Sequence, residues 1–139
     1  MGIRTKWDAQ TLAISAIQDV LPFNGVTDRQ FQKPNGPFQT PRNGEWIRAT
    51  MNDLLSEDQE ATGCFRVVSG LFTVDVFSPK ESGDFKAHDL AEKIRKTLSN
   101  TYYDTLKIQQ GLISEIPDDN WYRLAVEFNY TYEGLTDGS

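Results

Sequence analysis

Four sets of side chains have types that could do chemistry. His88 is the one histidine. A general base of this kind needs a carboxylate to orient it and a pocket for substrate. Neither is readable beside it, so it reads as a surface histidine. Asp118 and Asp119 could be metal ligands, but they stand between Pro117 and Asn120. Asx side chains are favoured in turns because they bond to nearby backbone N–H groups, and turn chemistry is the reading taken. Glu57, Asp58 and Glu60 form an acidic cluster. It lacks the alternating Asp/Asn and glycine spacing of a calcium loop and reads as a solvated hairpin tip. Cys64 is the only cysteine. It can form no disulfide within the chain, a reducing compartment fits, and it reads as a half-buried strand residue rather than a nucleophile. No phosphate loop, dinucleotide fingerprint or nucleophile elbow occurs. No catalytic residue, metal ligand or cofactor site is therefore expected, and the chain reads as a non-enzyme.

A different signal comes from Trp46, Arg48, Arg66, Trp121 and Arg123. Aromatic residues and arginine are the types enriched where proteins meet. Trp46 and Arg48 are spaced by two, as are Trp121 and Arg123, so each pair shares one face of a strand. Two readings stay open: a subunit interface, or a tryptophan packed over an arginine stem within one chain. Phe23, Phe31 and Phe38 interrupt an otherwise polar, Pro/Gly-rich stretch at 22–44. They either staple that long connection to its own domain or contact a partner. The candidates for subunit contact are Phe31, Phe38, Trp46, Arg48, Arg66, Phe72, Trp121 and Arg123.

The elements that must position these residues are readable from periodicity. A chain of 139 residues is one domain by length and can bury a single core. The net charge of −6 argues against general binding to a phosphate backbone. No run is long and apolar enough for a membrane span, and the N-terminus has no apolar segment of a signal peptide. Residues 5–21 carry an apolar stripe at helical spacing that Pro22 ends. Strands are predicted at 45–55 and 64–77, with the acidic hairpin between them. The second is longer than usual and is expected to extend beyond its own sheet. Gly70 inside it marks a bulge or a close backbone approach. A second amphipathic helix is predicted at 84–98, with Asp89–Lys93 and Glu92–Lys96 as ion pairs one turn apart. A third strand is predicted at 105–116, its phase shifted by a bulge near Gly111. A fourth is predicted at 121–132, with Tyr122, Leu124, Val126, Phe128, Tyr130 and Tyr132 on one face. Residues 133–139 read as a polar tail.

The expected fold is α+β: a two-layer sandwich of about four mainly antiparallel strands with two helices packed on one face, in the order αββαββ. The polar alternation leaves one sheet face partly solvated or covered by another subunit.

In this order and spacing, the residues resemble the tail terminator (tail completion) proteins of long-tailed bacteriophages. The resemblance rests on the N-terminal helix and the Pro/Gly-rich stretch into Trp46-Ile47-Arg48. It continues through Arg66, Gly70-Leu71-Phe72-Thr73-Val74-Asp75-Val76-Phe77-Ser78-Pro79 and Gly83, and the helix around Ala87, Leu90, Ala91 and Ile94. It closes on Trp121-Tyr122-Arg123 with Val126, Phe128 and Tyr130. It covers most of the chain, and residues 1–139 read as one such domain. The resemblance implies a structural virion protein, assembled in the host cytoplasm and sited at the head-proximal end of the tail. It would form a ring, hexameric, on the last ring of the tail tube, end tube polymerisation and join the head-side connector. Its partners would be itself, the tail-tube protein and the connector. DNA would pass through the lumen without specific binding, consistent with an acidic chain. The acidic hairpin at 57–60 and the connection at 22–44 match no pattern of the family. Two alternatives stand beside this reading. One is another head–tail connector or tail-tube subunit. The other is a small metal-dependent hydrolase using Asp118, Asp119 or the 57–60 cluster.

Overall fold

The computed structural model describes residues 6–20, 31–32, 44–58, 65–80, 85–103 and 106–135. The elements run α1 (Lys6–Val20), β1 (Phe31–Gln32), β2 (Trp46–Asp58), β3 (Phe65–Pro79), α2 (Phe85–Leu98), β4 (Thr101–Tyr103), β5 (Leu106–Ile108), β6 (Leu112–Ile116) and β7 (Trp121–Leu135). Phe23, Phe38, most of the 22–44 connection, Cys64, Glu60, Asp84 and residues 136–139 lie outside the described residues.

The αββαββ sandwich of four strands is corrected. Among the described residues, the strands form one seven-stranded sheet in the order β1-β2-β3-β7-β5-β4, with β6 also pairing β7. The sheet is mixed: β1 runs parallel to β2, while the other pairings are antiparallel. Three causes account for the difference. β1 is two residues long inside a proline- and glycine-rich stretch, too short to leave an alternation. β4 follows α2 after a two-residue turn and has three residues. The expected third strand is divided at 109–111 into β5 and β6.

That division has a simple geometry. Ile108 pairs with Tyr130 and Leu112 with Glu127. Three residues, 109–111, thus stand opposite two, 128 and 129, which is one extra residue and a bulge. The side-chain phase flips across it. Ile108 and Ile113 share the helix-facing side of the sheet, although their numbers differ by an odd count. Gly111 sits at the kink because a Cβ there would run into the Phe128 ring. Its N–H donates to Ser99 Oγ at 2.9 Å.

Gly70 is the second constrained glycine. It pairs with Tyr130 without a break in the β3–β7 ladder. The register shift lies across from it, on β2 between Asp53 and Leu55. A Cβ on Gly70 would strike the backbone oxygen of Asn52 and the Tyr130 hydroxyl. Close approach, not a bulge in β3, explains this residue. The expectation that β3 extends beyond its own sheet is also corrected. It is paired with β7 from Phe65 to Pro79 and with β2 from Arg66 to Phe77, so it is a central strand on both edges.

One sheet face carries the core. Ile47, Ala49 and Met51 of β2, Val68, Phe72, Val74 and Val76 of β3, and Leu124, Val126, Phe128 and Tyr130 of β7 are buried there. Against them pack Ala13, Ala16 and Ile17 of α1 and Ala87, Leu90, Ala91, Ile94 and Leu98 of α2. Those α2 positions recur at three- and four-residue spacing, which is one helical face. α1 packs on α2 and β2, and α2 on β3, β6 and β7. On the exposed side of α2, Lys93 pairs with Asp89 at 3.1 Å as expected. Glu92 pairs with Arg95 rather than with Lys96, and this guanidinium holds the Glu92 carboxyl below its ordinary value. α2 exits through Asn100, whose φ of 56° is a conformation that asparagine tolerates at helix ends.

Candidate interaction face

Sheet register decides which side chains meet on the face away from the helices. Trp46 pairs with Phe77 and Arg48 with Asp75. Phe77 pairs in turn with Arg123, Asp75 with Ala125, and Pro79 with Trp121. Two spaced pairs read from sequence, Trp46/Arg48 and Trp121/Arg123, are thereby brought to one patch with β3 between them.

Asp75 is its centre. The residue is 3% exposed. A carboxylate at such depth is costly unless paired and hydrogen-bonded. Arg48 donates from Nε at 3.3 Å and from Nη2 at 3.2 Å to Oδ2. Arg123 donates from Nε at 3.0 Å to Oδ1, and its Nη2 stands 2.9 Å from the same oxygen. Each carboxylate oxygen thus has its own guanidinium. The arginine side chains keep 36% and 25% of their exposure, so the clamp is wet on its outer side.

Aromatic rings complete the patch. Trp46 stacks on Phe77 with centroids 3.9 Å apart and planes 5° from parallel. Trp121 meets Trp46 edge-on at 5.9 Å. The guanidinium carbons of Arg48 and Arg123 lie 5.2 and 5.6 Å from the Phe77 centroid, within cation–π range. Trp46 is 6% and Phe77 3% exposed. The tryptophan therefore packs within its own chain, while the arginines and Trp121 stay in touch with solvent.

The remaining candidates are placed elsewhere. Phe31 pairs with Ile47 and is buried in the core. Phe72 is fully buried among the same core residues and tilts on Phe128. Both pack inside this chain. Arg66 stands opposite Asp58 and Gly134, at the far end of β3 from Phe77, about 36 Å along the strand. Phe38 lies outside the described residues. Asp75 is the residue that the site search in sequence missed. Its signal was present: a charged residue between Val74 and Val76, on the strand face that also carries Phe77.

The rest of the face is mostly polar and accessible, with Val67 and Leu71 half-buried on it. Thr50, Ser69, Thr73 and Thr131 are half-buried, and Asn52, Asn129 and Lys107 are exposed. Tyr102 and Leu112, 66% and 71% exposed, border it on β4 and β6. Lys107 Nζ sits 5.7 Å from the Tyr102 ring centroid.

Beside the cluster, a shallow cleft of about 290 Å³ is lined by Lys80, Glu115, Ile116, Pro117, Asp118, Trp121, Tyr122 and Arg123. Asp118 and Lys80 of this lining bond within the chain. Asp118 Oδ2 accepts from the N–H groups of Asn120 at 3.0 Å and Trp121 at 2.9 Å. The Asn120 N–H, foremost, holds the Asp118 carboxyl below its usual range. Lys80 donates to the Asp119 carbonyl at 2.8 Å. This is the turn chemistry that the sequence suggested. His88 is exposed and bonds through Nε2 with the Tyr122 hydroxyl at 2.9 Å. Among the described residues, no three His, Cys, Asp or Glu side chains group as metal ligands, and no helix is long and apolar enough to cross a membrane.

No family model matches the chain, and no curated protein does. Fifteen chains of solved structures match it. One superposes with a TM-score of 0.62 at 17% identity, over 88% of this chain and 94% of that chain. At that identity the likeness is one of fold.

Proposed function

We propose that this chain is a structural protein that works by associating with copies of itself and with other proteins. On the resemblance of its residues it is a phage tail terminator: a ring, hexameric, that caps the tail tube, ends its polymerisation and meets the head-side connector. The observation that carries the reading is the Arg48–Asp75–Arg123 cluster, set among Trp46, Phe77 and Trp121 on a broad sheet face that carries no helix among the described residues. Arginine and tryptophan held rigid by their neighbours are the residue types that dominate binding energy between proteins. A site for catalysis would need a positioned acid or base facing a pocket. Here Asp118 and Lys80 of the cleft bond to its own turn, and Arg123 to Asp75.

The long strands also suit a scaffold. β2, β3 and β7 have 13, 15 and 15 residues, about 45–50 Å for the longest. α2, with 14 residues, spans about 21 Å. The sheet therefore outruns the helices that cover it and offers neighbours a stiff surface. The acidic balance of the chain, −6, fits a lumen that DNA crosses without being held. A ring whose lumen is lined by Lys and Arg contradicts that part.

Mass photometry of the protein mixed with assembled tail tubes checks the reading. Six-copy particles are expected. Monomers alone in the presence of tubes overturn it. Open-ended stacking into tubes of its own favours a tube or connector subunit instead, because a terminator must not stack on itself.

A further inference from the structure

β6 is exposed on both of its faces. Leu112 and Ser114 stand out on the helix-free face and Glu115 on the other, with Ile113 and Ile116 half-buried. Leu112 is 71% exposed. Among the described residues the strand pairs with β7 alone. The direction of its free backbone groups follows from the ladder. The Gln109 N–H donates to the Asn129 carbonyl at 2.9 Å, so Asn129 points its backbone groups at this edge of β7. In an antiparallel ladder such directions alternate along a strand, and the β3–β7 register runs unbroken from Phe65 and Leu135 to Pro79 and Trp121. Glu127, Ala125 and Arg123 therefore point at the same edge, where they meet Leu112, Ser114 and Ile116. That leaves the N–H and C=O of Ile113 and Glu115 pointing out of the sheet. Gly111 faces the same way, but its N–H is taken by Ser99 Oγ. Pro117 follows in the same phase and has no N–H. The open stretch of edge is thus closed at both ends.

An edge with free N–H and C=O groups is a template for another strand. We propose that β6 pairs with β6 of a second copy, antiparallel about a two-fold axis at Ser114, so that the two sheets become one. The register follows from the free groups. With Ile113 opposite the copy's Glu115, each N–H meets the other's carbonyl, and the symmetry repeats both bonds. Centring on Ile113 instead sets Glu115 against Gly111, whose N–H is engaged. Centring on Glu115 sets Ile113 against Pro117 and brings two carboxylates face to face, which is destabilising. The side chains agree with the Ser114 centre. Leu112 falls opposite the copy's Ile116, in a pair without ladder bonds, where side chains stand closer. The most exposed apolar residue of the strand thus gains an apolar partner. Glu115 falls opposite Ile113, away from its own equivalent. The contact uses the same patch on both copies, so it closes at two. It goes beyond the ring, which needs a head-to-tail contact, and concerns the protein free of its tube.

Sedimentation velocity of the free protein tests this, with circular dichroism as the check on folding. Wild type is expected to dimerise as concentration rises. Glu115→Pro removes an outward N–H on an edge strand, where proline is tolerated. Its association is expected to weaken about tenfold or more, since both copies lose a donor. Glu115→Gln keeps the N–H and is expected to dimerise like wild type. Cysteine trapping reads the register even if the proline variant misfolds. With Cys64, the only cysteine, replaced by serine, Ser114→Cys is expected to cross-link on oxidation, because its two Cβ atoms would stand about 4.5–5.5 Å apart. Leu112→Cys is expected not to, since its equivalent lies about 13 Å away along the strand. A folded Glu115→Pro protein that dimerises like wild type overturns the pairing. So does Leu112→Cys cross-linking as readily as Ser114→Cys. Wild type that stays monomeric at every concentration overturns it too, and leaves the edge to an extended segment of another protein. Six-copy particles formed on tubes by such a monomer keep the ring reading standing. Wild-type dimers that never load on tubes overturn the ring and keep this contact.

Discussion

Asp75 is the residue on which the exposed face depends. Its carboxylate is buried, and its two arginines reach solvent only on their outer sides. Asp75→Ala removes the acceptor and leaves two guanidinium groups facing each other across Phe77. The expected loss is about 2–3 kcal/mol, below the range for a wholly buried pair because water still reaches both arginines. A urea denaturation midpoint equal to wild type contradicts this. Gly70 is constrained from a different direction. Gly70→Ala pushes a methyl at the Asn52 carbonyl, a backbone atom that cannot swing away, and about 1–3 kcal/mol is expected from that crowding. Asp118 gives a pH signature. Its pKa is lowered in the folded state, so its contribution is full above the ordinary carboxylate range and is lost as pH falls through the lowered value. The stability gap between wild type and Asp118→Ala should therefore be present near neutral pH and vanish in acid. A gap that persists at low pH contradicts the capping role.

At the scale of elements, α2 is held by one apolar face. Ile94→Ala empties a site that is 1% exposed and should cost about 2–4 kcal/mol by equilibrium unfolding, through lost burial and the cavity left behind. The same 3.6-residue period that made α2 legible in the sequence also aims Ile94 inward, and the period of two in β7 aimed Tyr122 through Tyr132 at the core. Strong periodicity reports on long elements. It failed on β1 and β4, which have two and three residues and exist because a neighbouring strand offers hydrogen bonds, not because their own residues insist. The break at Gly111 was visible as a change of phase, but its outcome, two strands from one, depends on Phe128 and Ser99 arriving from elsewhere in the fold. Part of the patch was legible in the same way. Trp46, Arg48, Trp121 and Arg123 could be paired by spacing along each strand. That the two pairs are neighbours, with Asp75 between them, is a property of strand order. β7 follows β3 in the sheet although 41 residues separate them in sequence. Phe31 and Phe72 were candidates by residue type, and burial assigns them to packing.

For the whole molecule, the division of labour between the two sheet faces is the main consequence. Both helices and the apolar core occupy one side. The other side presents a polar, threonine- and asparagine-rich surface with an aromatic and arginine cluster at one end, on strands longer than the helices behind them. A monomer gains little from a stiff face of that size, whereas a subunit that must meet copies of itself in a fixed orientation uses it fully. The central claim is that this chain closes into a ring on a tail tube, and imaging tests it most directly. Electron microscopy of tail tubes incubated with the labelled protein should show one six-fold ring at a single end of each tube, the head-proximal one, with no label along the shaft. Label spread along the tube wall, or tubes whose ends remain bare while the protein stays monomeric, contradicts it.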